Sequence, residues 1–247
     1  MEKARIRFLE ELSFNAWPTF QTIHYDAWLL RFADGYTRRA NSISPIYGSA
    51  LNIDEKIDYC EQVYRARQQP VIFKITPAVH PENLDEYLRD QGYVKEAPTS
   101  VQLLSLSGTG TPNTVEGLTD ELTERWVDAF CRMNKIKSQL IPAMRRLLNN
   151  IVPPCIFASL QHDDEIRAVG LGVMERGYLG IYDIVTDPDA RRQGLGTRLM
   201  LNLLSHGVAS GAEYAYLQVM LDNKPALQLY RNLGFTEVYQ YWYRVKA

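Results

Sequence analysis

Beyond residue 119 the apolar positions change rhythm several times. Leu122, Trp126 and Phe130, then Leu140, Met144, Leu147 and Leu148, recur every three or four positions, which predicts helices over 119–134 and 138–150. Residues 155–160, 166–174 and 178–186 are rich in β-branched and aromatic side chains, with a polar turn at 162–165, and read as an antiparallel meander. Leu195, Leu199, Met200, Leu203, Leu204 and Val208 form one helical stripe over 195–210, and Gly211 is placed to stop that helix. A buried strand over 214–220 follows, then a short helix with Pro225 in its first turn and Gly234 at its left-handed end, then strand material over 235–245. The order, α-α-β-β-β-α-β-α-β, is that of a mixed α/β sheet.

The first half carries a fainter version of the same ending. Residues 70–104 give strand, helix, glycine, aromatic and strand; aligning Gly92 with Gly234 sets Tyr93 on Phe235, Arg89 on Arg231 and Leu88 on Tyr230. Between the halves, SGTGTPN at 107–113 consists of small or turn-forming residues and reads as a connection. Two domains are expected, 1–111 and 112–247.

Composition narrows the function. With 46% apolar and 23% charged residues over 247 positions, the chain can build a substantial core, and wholesale disorder is excluded. Its 27 basic and 29 acidic residues balance, so a nucleic-acid partner bound by phosphate neutralisation is not expected. No apolar run approaches the roughly 20 residues that span a bilayer, and the start, MEKARIRFLEEL, is not a secretory signal. Cys60, Cys131 and Cys155 form no CxxC pair, and His24, His80, His162 and His206 have no cysteine or carboxylate at ligand spacing. Neither disulfides nor a metal is expected, and a reduced cytoplasmic setting fits.

Chemistry concentrates in 187–200, DPDARRQGLGTRLM, where a strand passes into the amphipathic helix. Gly194 and Gly196 clear side chains from the turn, so amides at the helix start point outward without intrahelical partners, with Arg191 and Arg192 beside them. Such a nest suits a phosphate or diphosphate. A nucleoside-triphosphate loop is excluded because no GxxxxGK run occurs. A dinucleotide fingerprint fails because Leu199 stands where its third glycine belongs and seven residues separate Thr186 from Gly194.

Arg191, Gly194 and Gly196 together resemble the coenzyme A diphosphate loop of the GNAT N-acetyltransferase superfamily, as do DIVTDP before it and DNKPALQLYRNLGF, at 222–235, after it. The resemblance covers residues 112–247 and implies a GNAT fold there, with acetyl-CoA as co-substrate. It assigns coenzyme contacts to Ile184, Val185, Thr186, Arg191, Arg192, Gln193, Gly194, Leu195, Gly196, Thr197, Asn223 and Tyr230. It also implies that the strand at 183–186 splays at a bulge, so that its backbone binds pantetheine and polarises the acyl carbonyl, and that Tyr230 protonates the departing thiolate. Each residue has a plain structural reading as well: Tyr230 as a packed aromatic, Asn223 as a helix cap, Asp183 as a strand-end residue.

The base for the attacking amine is not marked. Asp183 and Glu175 are the carboxylates at hand, and the glutamate of histone-acetylating members falls near Gly180, which disfavours that substrate class. The first half resembles the degenerate, GNAT-like N-terminal repeat of bacterial tandem members. Its run WLLRFADGYTRRANSISP, 28–45, either is a hairpin that packs the two halves together or sends Arg31, Arg38, Arg39, Asn41 and Ser42 to the acceptor. The expectation is a tandem acetyltransferase acting by direct ternary-complex attack of a small-molecule primary amine. A protein or peptide amine as acceptor, and a non-catalytic acyl-CoA sensor, stay open.

Overall fold

The structure, a computed structural model, describes residues 2–107, 116–162 and 164–246. In chain order it contains α1 (Glu2–Ala16), β1 (Gln21–Tyr25), β2 (Trp28–Phe32), β3 (Ile43–Ser44), α2 (Ile53–Ala66), β4 (Val71–Ile75), α3 (Leu84–Asp90) and β5 (Val94–Ser105). Then come β6 (Leu118–Thr119), α4 (Glu124–Asn134), α5 (Ile141–Asn149), β7 (Cys155–His162), β8 (Glu165–Glu175) and β9 (Tyr178–Thr186). The chain finishes with α6 (Leu195–Ala209), β10 (Tyr214–Met220), α7 (Lys224–Asn232) and β11 (Thr236–Lys246). Among the described residues no helix is long and apolar enough to cross a membrane.

Two compact units form, Met1–Ser100 with Tyr239–Ala247, and Val101–Val238. The division expected at residue 111 lies outside the described residues, as does most of the 107–113 connection. The last strand goes with the first unit because Trp242–Lys246 pair antiparallel with Ile75–Val71 of β4, a partner that local sequence pattern does not reveal.

In the first unit β1 and β2, then β2 and β3, pair antiparallel, while β3 and β4 run parallel. One face packs Leu30, Phe32, Ile43 and Phe73 against Cys60 and Tyr64 of α2 and Leu84 and Leu88 of α3. The run at 28–45 is committed to its own unit. The buried Arg31 guanidinium donates to the carbonyls of Arg39 (2.6 Å) and Trp17 (2.7 Å). The Asn41 side chain accepts from the amides of Ala33 (2.7 Å) and Gly35 (3.0 Å) and donates to the Thr37 carbonyl. Arg38 pairs with Glu96, Arg39 stacks on Trp17 and Ser42 is fully buried, so these side chains are engaged within the first unit.

The second unit has the strand order β5, β10, β9, β8, β7, β6. Strands β7, β8 and β9 form the expected antiparallel meander, and β9 pairs parallel with β10. Helix α6 lies on this sheet through Leu195, Leu199, Leu203 and Leu204. It comes close because β8 offers Gly170, where a Cβ would sit 2.5 Å from Ile184 Cδ1 and 3.2 Å from Leu199 Cδ2. Helix α4 begins at Glu124, five residues later than the periodicity suggests. The Thr123 hydroxyl accepts from the Trp126 amide at 3.2 Å and caps it, while Leu118 and Thr119 pair with Ala158 and Phe157 as β6.

Candidate active site

The site starts from a misfit between strands. On the β8 side, Val169 opposes Val185 and Leu171 opposes Tyr182, so the single residue Gly170 faces two, Asp183 and Ile184. That is a β-bulge, and Asp183 takes φ +53° to make it. On the other side, β9 and β10 pair only as far as Ile181 opposite Leu217, although β9 runs on to Thr186 and β10 to Met220. Beyond Ile181 the two parallel strands therefore separate, and among the described residues the register pairs none of Ile184–Thr186 with β10.

Helix α6 opens onto this gap. Gly194 caps it with φ +77°, a conformation that costs an L-residue about 1–2 kcal/mol, and no side chain caps the terminus. The first intrahelical bond runs from the Arg198 amide to the Gly194 carbonyl at 3.0 Å, which leaves the amides of Leu195, Gly196 and Thr197 open. A Cβ on Gly196 would stand 3.5 Å from both Thr186 Oγ1 and Leu229 Cδ2, so the glycine forms the floor where β9, α6 and α7 meet. Arg191, Arg192 and Gln193 are exposed beside it. Unpartnered amides, a positive helix end and two guanidinium groups suit a diphosphate, and the observed cradle fits one.

Tyr230 of α7 is 7% exposed, its ring packs edge-on against Phe235, and its hydroxyl bonds no described residue. Burial pushes its pKa up to about 12. Asn223 is the cap of α7, its side-chain oxygen accepting from the Ala226 amide at 3.3 Å. Glu175 is removed from consideration, because it pairs with Tyr178 at the turn of the β8–β9 hairpin, the opposite end from the bulge. Gly180 explains itself: a Cβ there would lie 2.7 Å from Tyr216 Oη and 2.8 Å from Tyr182 Cε2, so no glutamate fits. Those two phenols, both buried, bond each other at 2.8 Å.

Sequence reasoning missed Asp187, a buried carboxylate just after β9. Burial opposes its charge, but the Arg132 guanidinium, the Asp189 amide and the Arg167 guanidinium outweigh that and hold its pKa below the usual carboxylate value. Its partner on α4 is 55 residues away, so only the fold brings them together.

A bulged strand parting from its parallel neighbour, with a glycine-floored helix terminus at the gap, is the arrangement of a GNAT-type N-acetyltransferase. The chain belongs to the family described as probable histone acetyltransferase Rv0428c C-terminal, whose model matches residues 3–244. It is 29% identical over 248 residues to the N-acetyltransferase YobR of Bacillus subtilis (strain 168), covering 98% of each chain. It is 32% identical over 78 residues to the [ribosomal protein bS18]-alanine N-acetyltransferase of Salmonella typhimurium, 32% of this chain and 53% of that one. The fold is shared with a GCN5-related N-acetyltransferase from Kribbella flavida, at TM-score 0.72 and 13% identity over 99% of this chain and 95% of that one. The protein is an acetyltransferase of GNAT type, and such enzymes use acetyl-CoA.

Proposed function

We propose that the second unit transfers an acetyl group from acetyl-CoA to a primary amine of a small molecule, by direct attack in a ternary complex. The observation that carries this reading is the parting of β9 from β10 after Ile181, beside the open start of α6. The amides of Gly194, Leu195, Gly196 and Thr197, with Arg191, Arg192 and Gln193, hold the diphosphate. The unpaired edge at Ile184, Val185 and Thr186 holds the pantetheine and polarises the thioester carbonyl. Asn223, already a cap, borders the coenzyme arm with its free amide hydrogens.

The amine nitrogen attacks the carbonyl carbon, the C–S bond breaks, the thiolate takes the Tyr230 phenolic proton, and the amine loses a proton. Asp183, the carboxylate at the bulge, is the candidate to receive that proton, directly or through water. No acyl-enzyme is needed, and a cytoplasmic enzyme that binds neither nucleic acid nor membrane is part of the same reading. The blocked position at Gly180 supports an acceptor other than a histone tail.

A peptide amine is the second reading, favoured by the likeness to an enzyme whose name specifies a ribosomal-protein alanine. Thiol release from acetyl-CoA across a panel of small amines and N-terminal peptides, with mass spectrometry of the products, separates the two. Turnover on peptides alone overturns the small-molecule reading.

The first unit is read as a degenerate copy. Its strand directions repeat those of the second, and the paired turns match bond for bond: Tyr93 amide to Leu88 carbonyl at 2.9 Å, Phe235 amide to Tyr230 carbonyl at 3.0 Å. It has no counterpart of the glycine loop.

A further inference from the structure

The loop that is to grip the diphosphate is itself barely held. Among the described residues, Arg191, Arg192 and Gln193 make no hydrogen bond to the rest of the chain, although Arg192 sits at φ +64°. The segment is therefore fixed only at its ends, by α6 on one side and by the single turn Pro188–Ala190 on the other. That turn hangs on Asp187. Its Oδ1 accepts from the Asp189 amide at 3.1 Å, its carbonyl accepts from the Ala190 amide at 2.9 Å, and its own amide donates to the Arg167 carbonyl at 2.8 Å.

Its other oxygen, Oδ2, receives two guanidinium groups, Arg132 Nη1 at 2.6 Å from α4 and Arg167 Nη1 at 3.0 Å from β8. Arg132 is in turn fixed by the Ile166 carbonyl at 2.9 Å, and Arg167 by Glu165 at 2.9 Å. The Asp187 side chain is only 5% exposed while Arg132 is half exposed, so these are charge-assisted bonds to a buried carboxylate from arginines that reach solvent. Arg132 and Arg167 face Asp187, Glu165 and Asp189, so the Asp187 carboxylate beside the anion site is offset by two guanidinium groups. A bare carboxylate at this place would oppose a diphosphate.

We propose that Asp187 is the positioning residue of the diphosphate loop. Clamped by Arg132 and Arg167, it sets the angle at which the chain leaves β9 and so aims the open amides of α6. The proposal rests on the diphosphate lying at that helix start, and it assigns Asp187 no contact with coenzyme or acceptor. A residue acting this way governs donor binding through one part of the donor only. Its loss therefore shows when the donor carries a diphosphate and vanishes when it does not.

The experiment compares acetyl-CoA with S-acetylpantetheine, which has the same thioester and arm but no diphosphate. Asp187→Asn keeps the shape and the cap to the Asp189 amide while removing the charge that both arginines share, and Arg132→Gln removes one clamp from the other side. Both variants are expected to raise KM for acetyl-CoA by about 10-fold, with kcat within two-fold, and to leave kcat/KM for S-acetylpantetheine unchanged. Equal losses on the two donors would mean a general structural role and overturn the proposal, as would unchanged KM for acetyl-CoA. Gly194→Ala serves as reference: if it too leaves the preference between donors untouched, the diphosphate lies elsewhere and the loop assignment falls with the proposal. If Gly194→Ala abolishes the preference and the Asp187 and Arg132 variants do not, only the role of Asp187 is refuted.

Discussion

Tyr230→Phe removes one oxygen from a side chain that is 7% exposed and whose hydroxyl has no partner among the described residues. Burying such a hydroxyl costs about 1–3 kcal/mol by mutational measures, discounted here because the residue keeps some exposure to solvent. The variant should therefore be as stable as the parent or more so, by up to about 1 kcal/mol, a rise of roughly 2–4 °C in Tm. Turnover should move the other way. A phenol near 12 is about 3.5 units weaker as an acid than a thiol near 8.5, so full transfer to the freed thiolate would be uphill by about 5 kcal/mol. The proton must move as the C–S bond breaks, which puts the contribution at the lower end for general acids, about 10²-fold in kcat.

Calorimetry of acetyl-CoA binding together with thiol release at saturating acetyl-CoA and acceptor tests both halves of this. Unchanged kcat removes Tyr230 from the chemistry; a weakened acetyl-CoA affinity with unchanged kcat makes it a binding residue. The pH profile adds a check. Because its pKa is raised from 10.0 to about 12, Tyr230 stays protonated well past pH 10, so any alkaline loss of kcat below that pH belongs to another group. The same shift favours the folded state only below pH 10, where tyrosine is neutral folded or unfolded. That stability is lost as pH rises from 10 towards 12, because the unfolded chain ionises first, and Tyr230→Phe should flatten this part of the curve.

Two further perturbations test the packing. Gly180→Glu should unfold the protein or destabilise it by at least about 2 kcal/mol, since its Cβ would lie within 2.8 Å of both Tyr216 and Tyr182; a stable variant with raised activity on histone peptides would refute the blocked-position argument. In the first unit, Lys74 and Glu10 form an ion pair at 2.5 Å with side chains 4% and 0% exposed, and Tyr239 donates to the same glutamate. Lys74→Met alone should cost about 3–5 kcal/mol in urea unfolding, and adding Glu10→Gln should recover most of it; a single variant no worse than the double would show that the pair is not electrostatically coupled.

What the sequence conveyed and what it hid divide by distance along the chain. Strands β9 and β10 have the boundaries that their β-branched and aromatic runs suggest, and Gly234 takes the left-handed end of α7 that its place predicts, at φ +91°, because both signals are local. The turn at Gly92 and its counterpart at Gly234 were visible for the same reason. The start of α4 was misjudged because a threonine cap at Thr123 overrides periodicity that extends further back. The strand runs at 166–174 and 178–186 put Glu175 at a hairpin turn, but only the bulge at Asp183 shows that the strands part at the other end. The Asp187–Arg132 clamp and the Tyr182–Tyr216 pair join positions tens of residues apart, and no pattern of polarity foretells them.

The two units share their strand directions, and on the proposed reading only the second binds coenzyme. Each has an antiparallel meander feeding a parallel strand pair, and in each the question is what happens where the parallel strands end. In the second unit, the pairing of β9 with β10 stops at Ile181 opposite Leu217. In the first, the chain leaving β4 folds back and the His80 amide donates to the Pro45 carbonyl, just beyond β3, at 2.8 Å. Trp28 Nε1 then holds the His80 carbonyl at 3.1 Å, and the Ser49 amide meets His80 Nδ1 at 3.3 Å. The Pro45 carbonyl and the Ser49 amide are thus already bonded, and an incoming arm would have to displace those partners without a diphosphate loop to offset the loss. One acetyl-CoA per chain is the consequence. Isothermal titration of the full chain should give a stoichiometry of 1, and Gly194→Ala should weaken that single site without uncovering another; a second site of comparable affinity would mean that a sealed strand edge does not decide coenzyme binding.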